Sequence, residues 1–311
     1  MIHESAYLEW GVSSTAPFVR DWLGDEALRA DWNAEFHELV HDHLESPEVI
    51  ANYAAHCPCP GAEHADYMPR DVDLGDGLTV FAGIHFGQSF FVHVYAQTRP
   101  LLPSELSGAA NTLLETFSVF EPTTVRWWEA AQTDSVFPGE REEDLRLIVG
   151  HLPTILADGT PPDPRVRLVR SSSVPFYDEY TAMYERFLTD HPMMRPLLSV
   201  EEREDLQGCA DVGALFRVLV EDEFAGVIAA NPTTYRGVGA WSVREELLDT
   251  PYRGRGLAKL VQRSMLARLD QTVSPLVLGT IYTANQPSLR TALSVGRRDA
   301  GGWVTLGGPP F

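Results

Sequence analysis

A glycine-rich junction between a strand pattern and a helix pattern constrains the fold of this chain more than any other feature. Residues 238–248 have the apolar pattern of a strand, and residues 257–269 carry leucine, valine and methionine at helical spacing. Between them, glycines allow close approach of the backbone to a ligand, and the first turn of a helix favours an anion. A pyrophosphate site is therefore predicted at Arg253, Gly254, Arg255, Gly256, Leu257 and Ala258.

Two common phosphate-binding loops do not fit this junction. A Walker loop requires Gly-Lys-Ser/Thr, which does not follow here, and the dinucleotide fingerprint requires a GxGxxG spacing and a downstream acid. The remaining alternative is an ordinary helix start that contains glycine.

The pattern from residue 165 onward predicts the element order β-α-α-β-β-β-α-β. A strand at 165–170 precedes a helix at 175–190 and a short helix at 199–208, which Ser199 would cap. The other predicted elements are a hairpin of 215–221 and 226–230 with its turn at 222–225, strand 238–248, helix 257–269 and a continuous strand 275–282.

A proline-rich segment divides the chain into two predicted domains, 1–160 and 161–311. Residues 151–164 contain four prolines and a glycine, which interrupt helix and strand periodicity. Nearly all of the net charge of −20 lies before residue 160. Such an acidic surface repels nucleic acid. It either keeps the protein in solution or attracts a cationic amine as substrate.

Composition limits the location and class of the protein further. Three cysteines do not form a disulfide framework for a chain of 311 residues. No apolar run approaches the ~18 to 20 residues of a membrane span, and the first residues lack the pattern of a secretion signal. We therefore expect a cytoplasmic protein without a membrane or nucleic-acid partner.

The junction resembles the Gln/Arg-x-x-Gly-x-Gly/Ala signature of the GNAT superfamily of acyl-CoA N-acyltransferases, and the resemblance covers about residues 165–300. It implies an acetyltransferase-like α/β fold, a mixed sheet flanked by helices, with acetyl-CoA as cosubstrate. Backbone amides of residues 253–258 would hold the pyrophosphate of coenzyme A. Leu247 and Leu248 at the strand end would bind the pantetheine arm, and Asn285 would meet it from the next strand.

The chain departs from the GNAT pattern at two positions. Ala292 stands where the family has the tyrosine that acts as general acid, and Arg297 stands in the Gly-Phe ending after Gly296. Tyr282, Ser288, Ser294 or water could protonate the leaving thiolate, and the sequence leaves these alternatives open.

Two adjacent carboxylates are the candidates for a general base. Attack on the acetyl carbonyl requires a neutral amine, so a proton must leave an ammonium group. Glu245 and Glu246 lie at the appropriate end of the strand, and alternation directs only one of them into the cleft. Alternatively, both are solvated carboxylates at a strand end.

The first half repeats part of this order as β-β-α-β, at residues 78–84, 90–96, 104–117 with Ser104 as cap, and 123–129. Where a coenzyme A loop would fall, the chain reads AQTRPLLPSE, without glycine and with two prolines. This half is predicted to be a degenerate GNAT-like domain that binds no cofactor. An unrelated α+β domain is the alternative.

Other polar clusters carry weaker signals. The spacing of Cys57 and Cys59, with His56 and His64 nearby, is tight for one zinc ion, and no metal is predicted. His37, His41 and Asp42 are typical of a solvated helix face.

The predicted activity is acetyl transfer from acetyl-CoA to a primary amine of a small molecule, by a monomer or homodimer with two domains in tandem. The alternative is a sensor that binds acyl-CoA without consuming it. A longer acyl chain is also compatible with the sequence.

Overall fold

The chain forms two compact units, and each contains more than one segment of sequence. The computed structural model describes residues 4–38, 46–87, 89–131, 144–157, 159 and 163–307. The first unit contains the chain up to Leu145 together with 234–238 and the segment from Ala300 onward. The second unit contains 146–233 and 239–299.

This division differs from a single boundary near residue 160. The second unit begins at Arg146, because the strand β5 (Leu145–His151) pairs with a strand of that unit, and Gly150 lies opposite Val277. The proline-rich segment lies after this strand and the short helix α6 (Leu152–Leu156).

The predicted fold class is confirmed, since each unit has a sheet flanked by helices. In the first unit the helices are α1 (Glu4–Ser14), α2 (Pro17–Leu23), α3 (Asp25–Phe36), α4 (Pro47–His56) and α5 (Leu106–Thr116). The strands are β1 (Arg70–Asp73), β2 (Thr79–Phe86), β3 (Phe90–Gln97), β4 (Thr124–Ala130) and, from the end of the described chain, β12 (Arg298–Leu306).

The sheet of the first unit has the order β1-β2-β3-β4-β12. Strands β3 and β4 are parallel, with His93 opposite Arg126, and the other neighbours are antiparallel. In β12, Trp303 lies opposite Trp128 of β4. Alternating residues of β3 and β4, such as Val92 and Val125, face an apolar core with α5.

Trp32 of α3 is the centre of a second cluster in the first unit. Its indole ring is 1% exposed, and its Nε1–H donates to Thr15 Oγ1 at 3.1 Å. A Cβ atom on Gly11 or on Gly237 would overlap this ring. The Arg236 guanidinium lies 4.8 Å from the ring centroid. The indole therefore fills a space that only glycine leaves open.

We expect Gly11→Ala to destabilise the protein. Gly11 lies in the interior of α1, where alanine alone would stabilise a helix by ~1 kcal/mol. Overlap with the Trp32 ring adds an overpacking cost of about 1–3 kcal/mol, which outweighs this gain. Urea denaturation of the variant measures the difference.

Gly108→Ala is the matched control, because Gly108 also lies in a helix, α5, where a Cβ would meet no described atom within 4 Å. This variant should be neutral or slightly more stable than the native protein. Equal stabilisation by both substitutions would contradict the packing of Trp32 against Gly11.

The second unit contains the elements predicted around the glycine-rich junction. After β5 and α6 come β6 (Val166–Arg170), α7 (Tyr177–Asp190), α8 (Arg203–Asp211), β7 (Leu215–Val220), β8 (Glu223–Tyr235), β9 (Val238–Leu248), α9 (Leu257–Leu266), β10 (Leu276–Leu278), β11 (Thr280–Tyr282) and α10 (Gln286–Ser294). The predicted element order from residue 165 is confirmed.

The sheet of this unit has the order β5-β10-β9-β8-β7-β6, and β11 also pairs with β5. Strands β9 and β10 are parallel, whereas β6, β7 and β8 pair antiparallel. One face packs against α9 through Val261 and Met265, and the other packs against α7 and α8 through Tyr180 and Leu206. Residues that alternate along β9 therefore reach different helices.

Helix starts differ from the prediction in two places. Helix α8 begins at Arg203 with Glu202 as N-cap, because two tyrosine hydroxyls hold the backbone of Glu201 in the segment after Ser199. Helix α5 begins at Leu106 with Glu105 rather than Ser104 as N-cap.

Strand boundaries also differ in two places. The β7–β8 turn lies at Glu221 and Asp222, both with positive φ, rather than at 222–225. The predicted continuous strand 275–282 is interrupted at Gly279, whose N–H and carbonyl both bond to the backbone of Ile148.

In the part of the chain that the structure describes, no helix has the length and apolar character needed to cross a membrane.

Candidate functional site

Strand β9 separates from its neighbour at the end that leads to the glycine-rich junction. Its parallel pairing with β10 joins Trp241 to Val277 and Ser242 to Leu278. Beyond this point the neighbouring chain passes through Gly279 into β11, which pairs with β5 instead. Strand β9 continues to Leu248. The sheet therefore opens between the two strands, and main-chain groups of β9 border the opening.

The junction after β9 forms a tight turn that ends at the start of α9. Gly254 and Gly256 have φ angles of 71° and 70°, in the left-handed region that favours glycine. A Cβ on either residue would meet no described atom within 4 Å, so the space around both glycines is open. Gly256 is the N-cap of α9, and none of the described side chains caps this helix start. The first N–H groups of α9 thus have neither an intrahelical partner nor a side-chain cap.

Arg253 fastens the junction to the end of β9. Its Nε–H donates to the carbonyl oxygen of Leu248 at 2.6 Å, and its guanidinium lies 4.5 Å from the ring centroid of Phe187. Burial lowers the pKa of this guanidinium, which is half-buried. The side chain of Arg253 therefore stabilises the loop, whereas Arg255 is exposed and lies 3.4 Å from Glu221.

The predicted contacts of Leu247 and Leu248 lie at this strand end. Both side chains are buried in the unit. The Leu248 N–H is the main-chain group of this pair that is directed at the opening, because the Leu247 carbonyl faces β8 and the Leu248 carbonyl accepts from Arg253. A Cβ on Gly226 of β8 would overlap the carbonyl oxygen of Leu247, which shows how closely β8 approaches β9 here. Leu257 is buried at the start of α9, and Ala258 is partly buried beside it.

Asn285 lies at the start of α10 and acts as its N-cap. Its side-chain oxygen accepts a hydrogen bond from the Ser288 N–H at 3.3 Å, and its own N–H donates to the Tyr282 carbonyl at 2.9 Å. Tyr282 lies on β11 and is partly exposed. Ala292, at the position of the family's tyrosine, is fully buried in α10.

Glu245 points toward α7 and is 8% exposed. The Tyr180 hydroxyl donates to its Oε2, and the Glu246 N–H donates to its Oε1 at 2.8 Å. Burial raises the pKa of Glu245 to about 7, although the hydrogen bond from Tyr180 opposes the shift. A carboxyl group with this pKa can exchange protons near neutral pH.

Glu246 lies on the opposite face of β9 and points toward α9. Its Oε2 accepts a hydrogen bond from Gln262 Nε2 at 2.5 Å. Burial raises the pKa of Glu246 to about 7, while the hydrogen bond from Gln262 and the charge of Arg297 lower it. The two adjacent carboxylates thus have different partners.

Arg297, at the second departure from the GNAT pattern, is buried in the same unit. Its guanidinium donates to the Ile148 carbonyl at 2.7 Å, and burial lowers its pKa to about 10 despite the charge of Glu246. Arg297 Nε, Glu246 Oε1 and Gln262 Oε1 have no hydrogen-bond partner among the described residues. This side of β9 is therefore a buried polar cluster.

Sequence reasoning missed Tyr180, Glu201 and Gln262. Tyr180 and Gln262 occupy the apolar stripes of α7 and α9, where the periodic pattern predicts core packing. Glu201 follows Ser199 in a segment for which the sequence predicts a helix, whereas α8 begins only at Arg203. The paired acids of β9 were the available signal, since buried carboxylates require polar partners from the facing helices.

In the first unit, side chains form hydrogen bonds at the end of β3 and at the start of α5. The Arg99 guanidinium donates to both carboxylate oxygens of Glu105, at 2.5 and 2.9 Å, and the Leu102 N–H donates to the same carboxylate at 2.8 Å. Trp127 Nε1–H donates to Gln97 Oε1 at 2.6 Å between β3 and β4. A carboxylate therefore lies at the start of α5.

The cysteine and histidine residues of the first unit have other partners. Cys59 Sγ lies 3.1 Å from the Val119 carbonyl, and the Tyr67 hydroxyl accepts from the Cys59 N–H at 3.0 Å. Within the described ranges, no group of three or more His, Cys, Asp or Glu side chains could hold a metal ion. His37 is exposed and lies 3.8 Å from Glu4, while His41 and Asp42 lie outside the described residues.

No protein-family model matches the chain, and no curated protein matches its sequence. Solved structures similar to it include a tandem GNAT protein from the clavulanic acid biosynthesis pathway, with 14% identity, a TM-score of 0.43 and coverage of 86% of this chain and 97% of that one. A GCN5-related N-acetyltransferase from Sphaerobacter thermophilus has 15% identity, a TM-score of 0.42 and coverage of 85% and 93%. An aminoglycoside acetyltransferase from an uncultured soil metagenomic sample, in complex with sisomicin, has 14% identity, a TM-score of 0.29 and coverage of 44% and 90%.

Proposed function

We propose that the second unit binds acetyl-CoA and transfers its acetyl group to a primary amine of a small molecule. The observation that carries this proposal is the open turn at Gly254 and Gly256, which places the uncapped start of α9 beside the opening between β9 and β10. Backbone N–H groups of a helix start suit a pyrophosphate, and an open sheet edge offers hydrogen bonds to an extended amide chain.

The residues present fit coenzyme A at each part of this site. Main-chain amides of 254–258 would bind the pyrophosphate, because both glycines leave space for it, whereas the Arg253 N–H already donates to the Thr250 carbonyl at 3.2 Å. The Leu248 N–H would bind the pantetheine arm, whereas the carbonyl oxygens of Leu247 and Leu248 already face β8 and Arg253. The side-chain amide of Asn285 can donate to the same arm, since its oxygen already accepts from Ser288. Acetyl-CoA supplies the activated acyl thioester.

Glu245 serves in this proposal as the general base. An amine that arrives as ammonium loses a proton to the Glu245 carboxylate, and its nitrogen then forms a bond to the thioester carbonyl carbon. The bond from that carbon to sulfur breaks, and the sulfur leaves as a thiolate that must take up a proton. A carboxyl pKa of about 7 suits this exchange near neutral pH.

Tyr282 is the proposed proton donor to the thiolate. The buried Ala292 side chain has no proton to donate, whereas Tyr282 on β11 is partly exposed, and its carbonyl accepts the Asn285 N–H. Glu246 faces α9 and has Gln262 and Arg297 as neighbours, so its proposed role is to orient the strand end rather than to accept the substrate proton.

The first unit is proposed to bind no cofactor. Its Glu105 carboxylate occupies the start of α5 and would repel a phosphate there, while Trp127 and Gln97 fill the space between β3 and β4. The excess of acidic residues in this part of the chain favours a substrate that carries positive charge.

Calorimetric titration with acetyl-CoA and with coenzyme A tests the cofactor site. Free-thiol release is then measured with spermidine, tyramine and kanamycin as probe amines. Binding together with amine-dependent thiol release supports the proposal. Binding without consumption of acetyl-CoA would favour the sensor function, and the absence of binding would contradict the whole assignment.

A further inference from the structure

We propose that Tyr180 is a positioning residue that holds the Glu245 carboxylate and links it to the segment before α8. This inference rests on the proposed function, in which Glu245 removes a proton from the amine. Tyr180 lies in α7, and its side chain is fully buried. Its hydroxyl donates to Glu245 Oε2 and accepts from the Glu201 N–H at 3.0 Å.

These two hydrogen bonds fix the direction in which the Tyr180 proton points. A hydroxyl has one proton to donate. The Glu201 N–H is already a donor, so the hydroxyl oxygen accepts from it and the hydroxyl proton is available only to Glu245. The Glu246 N–H binds the second carboxylate oxygen at 2.8 Å. Glu245 is therefore held at both oxygens, and its side chain has one orientation.

Tyr177, three residues earlier in α7, holds the same segment by a different contact. Its hydroxyl donates to the Glu201 carbonyl at 3.1 Å. The two tyrosines thus bind opposite ends of one residue, but the hydroxyl of Tyr180 is the one that also bonds to Glu245. Tyr177 is therefore a matched control, with the same chemistry and a neighbouring position.

The titratable groups around Glu245 come from three segments. Tyr180 and Tyr184 face it from α7, Glu201 faces it from the segment before α8, and Glu246 follows it in β9. Arg244 lies 3.2 Å from Glu201 and offsets its charge. Burial and the charge of Glu245 raise the pKa of Tyr180, so its hydroxyl remains protonated over the working pH range.

The hydrogen bond from Tyr180 stabilises the ionised form of Glu245, which sets the sign of the test. Without it, the Glu245 pKa rises, and the base is ionised only at higher pH. For Tyr180→Phe we expect the acidic limb of the kcat/KM profile to move upward by about 1–2 pH units. At pH 7 we expect kcat to fall about tenfold, because the ionised fraction of Glu245 falls, and we expect the Kd for acetyl-CoA to stay unchanged.

Tyr177→Phe should leave the midpoint of the acidic limb in place. A merely structural role for Tyr180 would lower the amount of active protein without moving this midpoint. Equal midpoints in the native protein and in Tyr180→Phe would overturn the proposal.

A carboxyl titration separates this inference from the proposed function, because it needs no substrate. The Glu245 signal of the full chain labelled with 13C-glutamate is assigned by its loss in Glu245→Gln. An upward shift of its midpoint in Tyr180→Phe supports the positioning role even if no amine is acetylated, and in that case only the proposed function fails. An unchanged midpoint would overturn the positioning role.

Because Tyr180 is fully buried, Tyr180→Phe could lose its fold. Replacement of Tyr180 by 3,5-difluorotyrosine retains the hydroxyl and makes it a stronger donor. The Glu245 midpoint should then shift downward, opposite to the shift in Tyr180→Phe. A midpoint that stays in place or shifts upward would contradict the proposal.

Discussion

Gly256→Glu is expected to abolish binding of coenzyme A while the protein stays folded. The new carboxylate would lie at the positive end of the α9 dipole. There it would accept hydrogen bonds from the N–H groups that are proposed to bind the pyrophosphate. Loss of two charge-assisted hydrogen bonds, at about 1.5–3 kcal/mol each, raises the Kd more than 100-fold. Calorimetric titration measures the loss, and thermal unfolding checks the fold.

Gly61→Glu is the matched control for this variant. Gly61 is also exposed, has a φ of 90°, and a Cβ there would meet no described atom within 4 Å. It therefore carries the same added charge and the same backbone strain as Gly256→Glu. Coenzyme A affinity should be unchanged in this control. Native affinity in a folded Gly256→Glu variant would contradict the assignment of the pyrophosphate site.

Glu245→Gln is expected to lower kcat by about 10²–10⁴-fold, the range typical of losing a general base. The amide is close in shape to the carboxyl, so affinity for acetyl-CoA should remain. In the native protein kcat/KM should increase as the pH passes through about 7, because burial raises the Glu245 pKa to that value and only the ionised form accepts a proton. The variant should lack this increase.

Glu246→Gln provides the comparison, since the two residues are adjacent and both carboxyls have a pKa of about 7 through burial. Glu246 faces Gln262 and Arg297 on the other side of β9. We expect a smaller loss of kcat and a retained dependence on pH. A large loss in Glu246→Gln together with native turnover in Glu245→Gln would place the base on the α9 side.

The arrangement of elements around the junction could be predicted from local sequence. Residues 238–248 and 257–266 have clear strand and helix periodicity, and the turn between them requires glycine at two positions. These signals are local, because each depends only on residues that are neighbours in one strand, one helix or one turn. The same holds for the pairing of β2 with β3 in the first unit.

The polar partners of the strand acids could not be predicted in the same way. Tyr180 lies 65 residues from Glu245 along the chain, and the contact depends on the packing of α7 against the sheet. Gln262 approaches Glu246 from α9, whereas Arg297 is the residue before β12. Because side chains alternate along β9, the two acids are predicted to point to opposite faces of the sheet. Alternation does not indicate which helix packs against each of them.

The order in which the sheet of the first unit can be completed follows from the position of β12. Strand β4 lies between β3 and β12, and the segment from Ala300 onward is synthesised after the whole second unit. On the ribosome, β4 remains an edge strand until this segment emerges, and the indole of Trp128 lacks the ring of Trp303, 5.2 Å away in the folded protein. The part translated first is thus the part that finishes folding last, and a chain shortened before residue 300 would expose an unpaired edge to other nascent chains.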